Sequence, residues 1–116
     1  MFNAEGFKVM KGLTDALTQR QEILSNNLAN MGTKNYVRQD IDFGRVLSDL
    51  KSGGPSMEQG NEATLTRARY KDTGTPLTLE SEMSKMYDNH LRYLLMVKSI
   101  SHHFEHMKKA IEVKAS

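Results

Sequence analysis

The chain has no cysteine, no tryptophan and only two prolines in 116 residues. Without thiols there can be no disulfide, no thiolate-held metal and no cysteine nucleophile, so no covalent staple holds the fold and the redox compartment stays undetermined. With four Phe, four Tyr and 38% hydrophobic residues, a thick core is out of reach, and an elongated molecule is expected. No run approaches the roughly 18 to 20 apolar residues of a membrane span, so no direct lipid insertion is expected. The opening Met1-Phe2-Asn3-Ala4-Glu5-Gly6-Phe7-Lys8 lacks the basic and apolar segments of a cleavable signal peptide, and on these signals alone the chain reads as cytoplasmic. Charge is nearly balanced, 16 Lys and Arg against 14 Asp and Glu, which gives no strong attraction to nucleic acid or anionic membrane.

What is present is helical periodicity at both ends. In residues 1–32 the positions Met10, Leu13, Leu17, Arg20, Leu24, Asn27 and Met31 alternate steps of three and four, with Val9, Ala16 and Ile23 widening the stripe. Asn3 is placed to cap this helix and Gly32 to close it in a left-handed conformation. Two polar residues, Arg20 and Asn27, interrupt the seam.

Residues 79–116 carry the stronger pattern. Pro76 ends a loop, Thr78 can cap, and Glu80 and Glu82 put negative charge where free amide groups and the helix dipole favour it. From Leu79 the seam is expected at Met83, Tyr87, His90, Leu94, Val97, Ser101, Phe104, Lys108 and Ile111, flanked at sevens by Met86, Tyr93, Ile100 and Met107. A helix running to about Val113 is about 50 Å long, more than a compact domain of this mass needs. Leu91, Leu95 and Met96 lie outside the stripe, so a single partner helix leaves apolar surface over and contacts with further chains are implied.

Between the helices, residues 33–78 hold a motif turn, a short helix over Asp42–Ser52 with Phe43, Val46, Leu47 and Leu50 on one face, and turn chemistry at Ser52-Gly53-Gly54-Pro55-Ser56 and Asp72-Thr73-Gly74-Thr75-Pro76. Residues 63–70 are expected to form at most a short strand or hairpin. The fold class is therefore mainly α: two long terminal helices in an elongated antiparallel, coiled-coil-like pair, joined by a loop-rich middle.

No catalytic constellation emerges. The carboxylates are scattered, Ser101 sits in the seam without a base and acid, and no glycine loop could cradle a phosphate. Nothing calls for a cofactor. His102 and His106 share the i, i+4 spacing of a metal pair, with His103 and Glu105 beside them, but they fall on the outer face, where solvated surface is the simpler reading; His90 is expected to be packed in the seam. Arg67, Arg69 and Lys71 with Tyr70 make a basic aromatic patch diluted by Glu62 and Asp72, too few cations for a phosphate footprint. The eight methionines are core-type residues whose flexibility also suits surfaces meeting unlike neighbours.

One passage is more specific than any periodicity: Ser25-Asn26-Asn27-Leu28-Ala29-Asn30-Met31-Gly32-Thr33-Lys34-Asn35-Tyr36-Val37-Arg38-Gln39-Asp40-Ile41-Asp42-Phe43. It resembles the signature of the bacterial flagellar rod proteins, in which a helix ends in Asn-Asn-Leu-Ala-Asn, a turn usually written Asn-Thr-Pro-Gly-Tyr follows, and the proximal member continues Arg-Gln-Asp-hydrophobic-Asp-Phe. Leu79-Glu80-Ser81-Glu82-Met83, Asn89, Tyr93 and Met107-Lys108-Lys109-Ala110-Ile111 resemble the family's C-terminal pattern. The usual Pro-Gly of the turn is here Lys34-Asn35; asparagine tolerates a left-handed backbone, so Asn35 is expected to keep the bend. The chain ends Val113-Lys114-Ala115-Ser116 where the family commonly ends in glycine.

The resemblance implies a structural subunit of the proximal rod of the flagellar basal body, polymerising into a hollow torque-transmitting shaft and exported without a cleavable signal to the periplasm. It implies as partners the other rod proteins, the small rod adaptor, the membrane-embedded ring, the export gate and copies of the chain itself. The residues expected at subunit interfaces are Leu13, Leu17, Leu24, Asn26, Asn27, Leu28, Asn30, Tyr36, Asp40 and Phe43, with Glu80, Met83, Tyr87, Asn89, Leu91, Tyr93, Leu94, Val97, Phe104 and Ile111. Helix periodicity alone equally permits a cytoplasmic coiled-coil adaptor or export chaperone. Without neighbours the chain is expected to be partly unfolded or to aggregate, because long helices draw most of their stability from packing.

Overall fold

The computed structural model describes residues 4–52 and 62–115. In chain order these form helix α1 (Ala4–Ala29), strand β1 (Gln39–Ile41), helix α2 (Phe43–Ser52), helix α3 (Glu62–Ala68), strand β2 (Arg69–Lys71) and helix α4 (Leu79–Ala115). The expected cap at Asn3 and the Gly53–Ser56 linker lie outside the described residues. The molecule measures 65 × 30 × 17 Å with a radius of gyration of 17.3 Å, against about 13 Å for a compact chain of this length.

Helices α1 and α4 run antiparallel. Asn27 meets Glu82 near one end, Asn89 reaches Leu17 and Gln21 in the middle, and the rings of Phe7 and Phe104 stand edge to face at 5.4 Å toward the other. The seam expected in α1 is largely the one observed: Ala16, Leu17, Ile23, Leu24 and Asn27 are buried, and Leu13 and Arg20 half-buried.

In α4 the expected seam is displaced. Met83, Tyr87, His90, Leu94, Val97, Ser101, Phe104 and Ile111 are exposed, while Glu82, Met86, Asn89, Tyr93, Met96, Ile100 and His103 face inward. The cause is chemical. Two buried polar side chains, Glu82 and Asn89, fix the rotation of α4 through specific hydrogen bonds to α1 and β1, and a search for apolar repeats passes over such positions. His90 and Ser101 are thus solvent-facing, whereas His103 is half-buried beside Phe104 at 6.2 Å.

The densest apolar packing lies on the other side of α1. There Ala16 and Ile23 meet Ile41, Val46, Leu50 and Ala68, with Val9, Leu13, Phe43 and Leu65 closing the rim. Helix α2 presents the expected face, and Asp42 caps it by accepting from the Arg45 amide at 3.2 Å. It approaches α1 closely because residue 12 is glycine: a Cβ there would stand 2.6 Å from Leu50 Cδ1.

Residues 62–68 are helical, not the strand or hairpin expected; Thr64 and Ala68, four apart, both turn inward, a helical spacing. Strand β2 follows and pairs antiparallel with β1, Gln39 opposite Lys71 and Ile41 opposite Arg69. The small sheet therefore joins the end of the motif turn to a distant segment instead of closing a local hairpin. Thr78 caps α4 as expected, accepting from the Ser81 amide at 3.2 Å. Helix α1 ends at Ala29, three residues before Gly32, and the left-handed residue is Asn35 at φ 64°, the substitute for the family's glycine.

Candidate subunit interface

The asparagines at the end of α1 divide the work. Asn30 Nδ2 donates to the Asn26 carbonyl at 2.9 Å, a second bond to an oxygen that also accepts the Asn30 amide at 3.1 Å, and Asn30 Oδ1 accepts from Thr33 Oγ1 at 3.1 Å. Asn27 instead points inward. Its Nδ2 donates to the Gln39 carbonyl at 2.8 Å and to Glu82 Oε2 at 3.3 Å, while its Oδ1 accepts from the Gln39 amide and from the Tyr36 hydroxyl, each at 2.9 Å. All four hydrogen-bonding capacities of the amide are used, so one side chain fixes where the chain goes after the turn.

Next to it lies a buried ionic cluster. The Arg38 side chain, 1% exposed, donates to Glu82 Oε1 at 2.6 Å, to Asp40 Oδ2 at 3.3 Å and to Asp72. Asp40 also accepts from Arg20 Nε at 2.7 Å and from the Ile41 amide at 2.8 Å, and the Arg20 guanidinium rests 5.7 Å from the Phe43 ring centre. Burial works against the charge on Arg38, but the hydrogen bonds and charges of Glu82 and Asp40 outweigh it and raise its pKa. Burial likewise opposes ionisation of Asp40, and Arg20, the Ile41 amide and Arg38 overcome it, holding the carboxyl below its ordinary value. Asp72 is held low by Thr75, the Gly74 amide and Arg38. Through Arg38, one end of α4 is tied to β1, to the exit of β2 and, by way of Asp40 and Arg20, to α1.

Of the residues expected at interfaces, Leu17, Leu24, Asn27, Asp40 and Asn89 lie buried within the chain, where they join its own elements. Leu13, Leu28, Asn30, Tyr36, Phe43 and Tyr93 are half-buried. Asn26, Glu80, Met83, Tyr87, Leu91, Leu94, Val97, Phe104 and Ile111 are exposed. The exposed apolar members follow one another along a flank of α4, from Met83 through Tyr87, Leu91 and Leu94, with Tyr87 68% exposed. Single exposed apolar residues are ordinary on a protein surface, whereas a contiguous row of them is not. On the opposite flank Leu13, Leu17, Phe43, Leu95 and Met96 line a groove of about 340 Å³.

The basic patch is engaged internally, since Arg67 pairs with Asp49 at 2.8 Å and Arg69 donates to Gln39 Oε1 at 2.6 Å. His102 and His106 are exposed, and among the described residues no third ligand gathers with them. Nor is any helix among the described residues long and apolar enough to cross a membrane. Arg38, Glu82, Arg20 and Asp72 were not among the expected site residues. Arg38 and Glu82 stand inside the two family-like passages, which is the one signal that could have paired them.

Comparison with known proteins agrees with this layout. The family described as flagella basal body rod protein matches residues 10–36, which cover most of α1 and the turn. A flagellar basal body rod protein FlgB of Borrelia hermsii is 23% identical over 84% of this chain and 89% of its own length. One from Proteus mirabilis is 26% identical over 81% of this chain and 84% of its own. A FlgB of Yersinia enterocolitica is 40% identical over 49% of this chain and 42% of its own length.

Proposed function

We infer that this chain, which belongs to the flagellar basal body rod protein family, is a structural subunit of the proximal rod, polymerising with other rod proteins into a hollow shaft that carries torque. The observation that carries this is the pairing of two features. A buried polar clasp fixes the motif turn against both long helices, and a continuous apolar flank of α4 is left uncovered by the described residues. A rigid unit with an unfilled helical face is what a polymer needs, because each copy supplies its neighbour's missing packing.

In this reading the exposed residues Met83, Tyr87, Leu91, Leu94, Val97, Phe104 and Ile111, with Asn26 and Glu80, meet neighbouring subunits. The buried members Asn27, Asp40 and Asn89 act indirectly by setting the rotation of α4. The half-buried Leu13 and Phe43 form the receiving groove on the other flank. Association with other rod components follows from the family; the small rod adaptor, the membrane-embedded ring, the export gate and further copies of the chain are the specific partners proposed. Export without a cleavable signal and residence in the periplasm belong to the same proposal, as does the absence of catalysis. The cytoplasmic adaptor or chaperone has no comparable support, since the family match takes in most of α1 and the turn as far as Tyr36, including Arg20 and Asn27 of the clasp.

Deleting the gene in its host and imaging basal bodies tests the reading. Loss of the rod and of swimming, restored by the intact gene, is expected; normal rods in swimming cells would sink it.

A further inference from the structure

Among the described residues of α4 only Glu82 and Asn89 are buried, and both are polar; each apolar side chain of the helix keeps part of its surface in water. Met86, Tyr93, Met96 and Ile100 lie half-buried on the same inward face. Every one of these six stands one position before a member of the exposed stripe that begins at Met83 and runs through Tyr87, Leu94 and Val97 to Phe104. One residue of an α-helix is a turn of about 100°, so a single roll of that size exchanges the two faces. Apolar burial alone favours the rolled position. It would bring in Met83 for Glu82 and Phe104 for the half-buried His103, with Ile100 given up for Ser101 as the main term the other way.

Two polar side chains oppose the roll, and they stand two turns apart on one line of the helix. Glu82 accepts from Arg38 Nε at 2.6 Å and from Asn27 Nδ2 at 3.3 Å. Asn89 Nδ2 donates to the Leu17 carbonyl at 2.8 Å and to Gln21 Oε1 at 2.9 Å. A roll breaks all four bonds and takes from the buried Arg38 one of its three carboxylates. Far along α4 from these bonds, the stripe does come round to α1, where Phe104 meets Phe7 at 5.4 Å. The connection over residues 72–78 lies in neither helix nor strand and can follow a rotation of α4.

We propose that Glu82 and Asn89 are a two-pin lock that holds α4 one residue short of its apolar rotation, keeping on the surface a stripe that α1 of the same chain would otherwise cover. Polar bonds suit this task because each is made at one rotation and one offset, whereas apolar contact is satisfied by several. The lock belongs to the single chain and stands or falls apart from the rod-subunit reading, to which it adds a reason why the stripe stays available.

The chain has no cysteine, so introduced pairs report the rotation in dilute solution, where closure is within one chain. Leu13 and Met96 line one groove; Leu13→Cys with Met96→Cys reads the pinned position, and Leu13→Cys with Val97→Cys the rolled one. In the otherwise unaltered full chain the 13–96 pair is expected to oxidise about tenfold faster than the 13–97 pair. Adding Glu82→Ser with Asn89→Ser, which removes both pins and leaves the inward face no more apolar, is expected to reverse that order; adding Leu94→Gln as well, which takes apolar area from the stripe, restores it. A folded double serine variant that keeps the 13–96 preference, or closes neither pair, overturns the proposal. So does a pinned chain that does not favour the 13–96 pair. Where the double variant does not fold, Asn89→Ser alone decides: it should cut the preference about threefold, and an unchanged preference overturns the lock.

Discussion

Removing Arg38 separates a clasp that organises the fold from one that merely decorates it. In Arg38→Met the apolar bulk is largely kept while the only cation touching Glu82 among the described residues is lost. The three carboxylates then fare differently. Asp40 retains Arg20 and the Ile41 amide, and Asp72 retains the Gly74 and Thr75 amides. Glu82, 0% exposed, keeps a single 3.3 Å bond from Asn27. Breaking a buried pair by deleting one partner costs about 3–5 kcal/mol, a large share of the roughly 5–15 kcal/mol that holds a domain together. With a urea dependence of 1–3 kcal/mol per molar, the midpoint should fall by on the order of 2 M. The packing of α2, β1 and α3 on α1 lies within one chain, so urea titration followed by amide exchange over residues 39–50 reads the loss even where the long helices fray without neighbours. Arg38→Met with Glu82→Met should recover more than half of it, because no charge is then stranded. A shift below about 1 kcal/mol for the single variant, or a double variant as unstable as the two singles summed, would refute the argument.

Acid should weaken the same cluster. Asp40 and Asp72 have folded pKa values below the ordinary 3.8, so their contribution is complete above that pH and is lost as pH falls through the lower folded values; the urea midpoints of wild type and Asp40→Asn should differ at neutral pH and converge in acid. Asn27→Ala strands the Gln39 amide and carbonyl and should cost about 2–4 kcal/mol in the same titration, with little change if solvent reaches those groups. Gly12→Ala drives a Cβ against the buried Leu50 and should cost about 1–3 kcal/mol from overpacking, less about 1 kcal/mol of helix propensity gained; adding Leu50→Ala should erase the clash component of that loss. Leu94→Asp, on the exposed flank, should leave the chain's helicity intact yet abolish swimming, and unimpaired motility would remove that flank from the interface.

Periodicity reads apolar repeats, and it succeeded where apolar side chains decide the packing. In α1 the stripe of Leu13, Leu17 and Leu24 is the packed face, and in α2 Val46 and Leu50 are buried as spaced. It failed in α4, where a carboxylate and an amide decide the rotation and the apolar stripe is turned outward. The same blindness hid α3: a seven-residue helix with one strongly apolar side chain, Leu65, gives too short a pattern to separate from a strand. Gly12 gave no signal either, because its role depends on Leu50, thirty-eight positions further along.

By itself the sequence determined that there would be two long terminal helices, a short amphipathic one between them, no covalent staple and a bent turn at Asn35, since these depend on neighbours within a few residues. Its passage from Ser25 to Phe43 also pointed to the family. Only the tertiary structure decided which face of α4 lies inward, that Arg38 gathers Asp40, Asp72 and Glu82, and that β1 takes β2 as its partner. Apart from Arg38 and Asp40, two positions apart, those choices hinge on groups about 30 to 72 residues apart, whose pairing is selected by burial: in water many partners are equivalent, while inside the fold each unpaired polar group is costly.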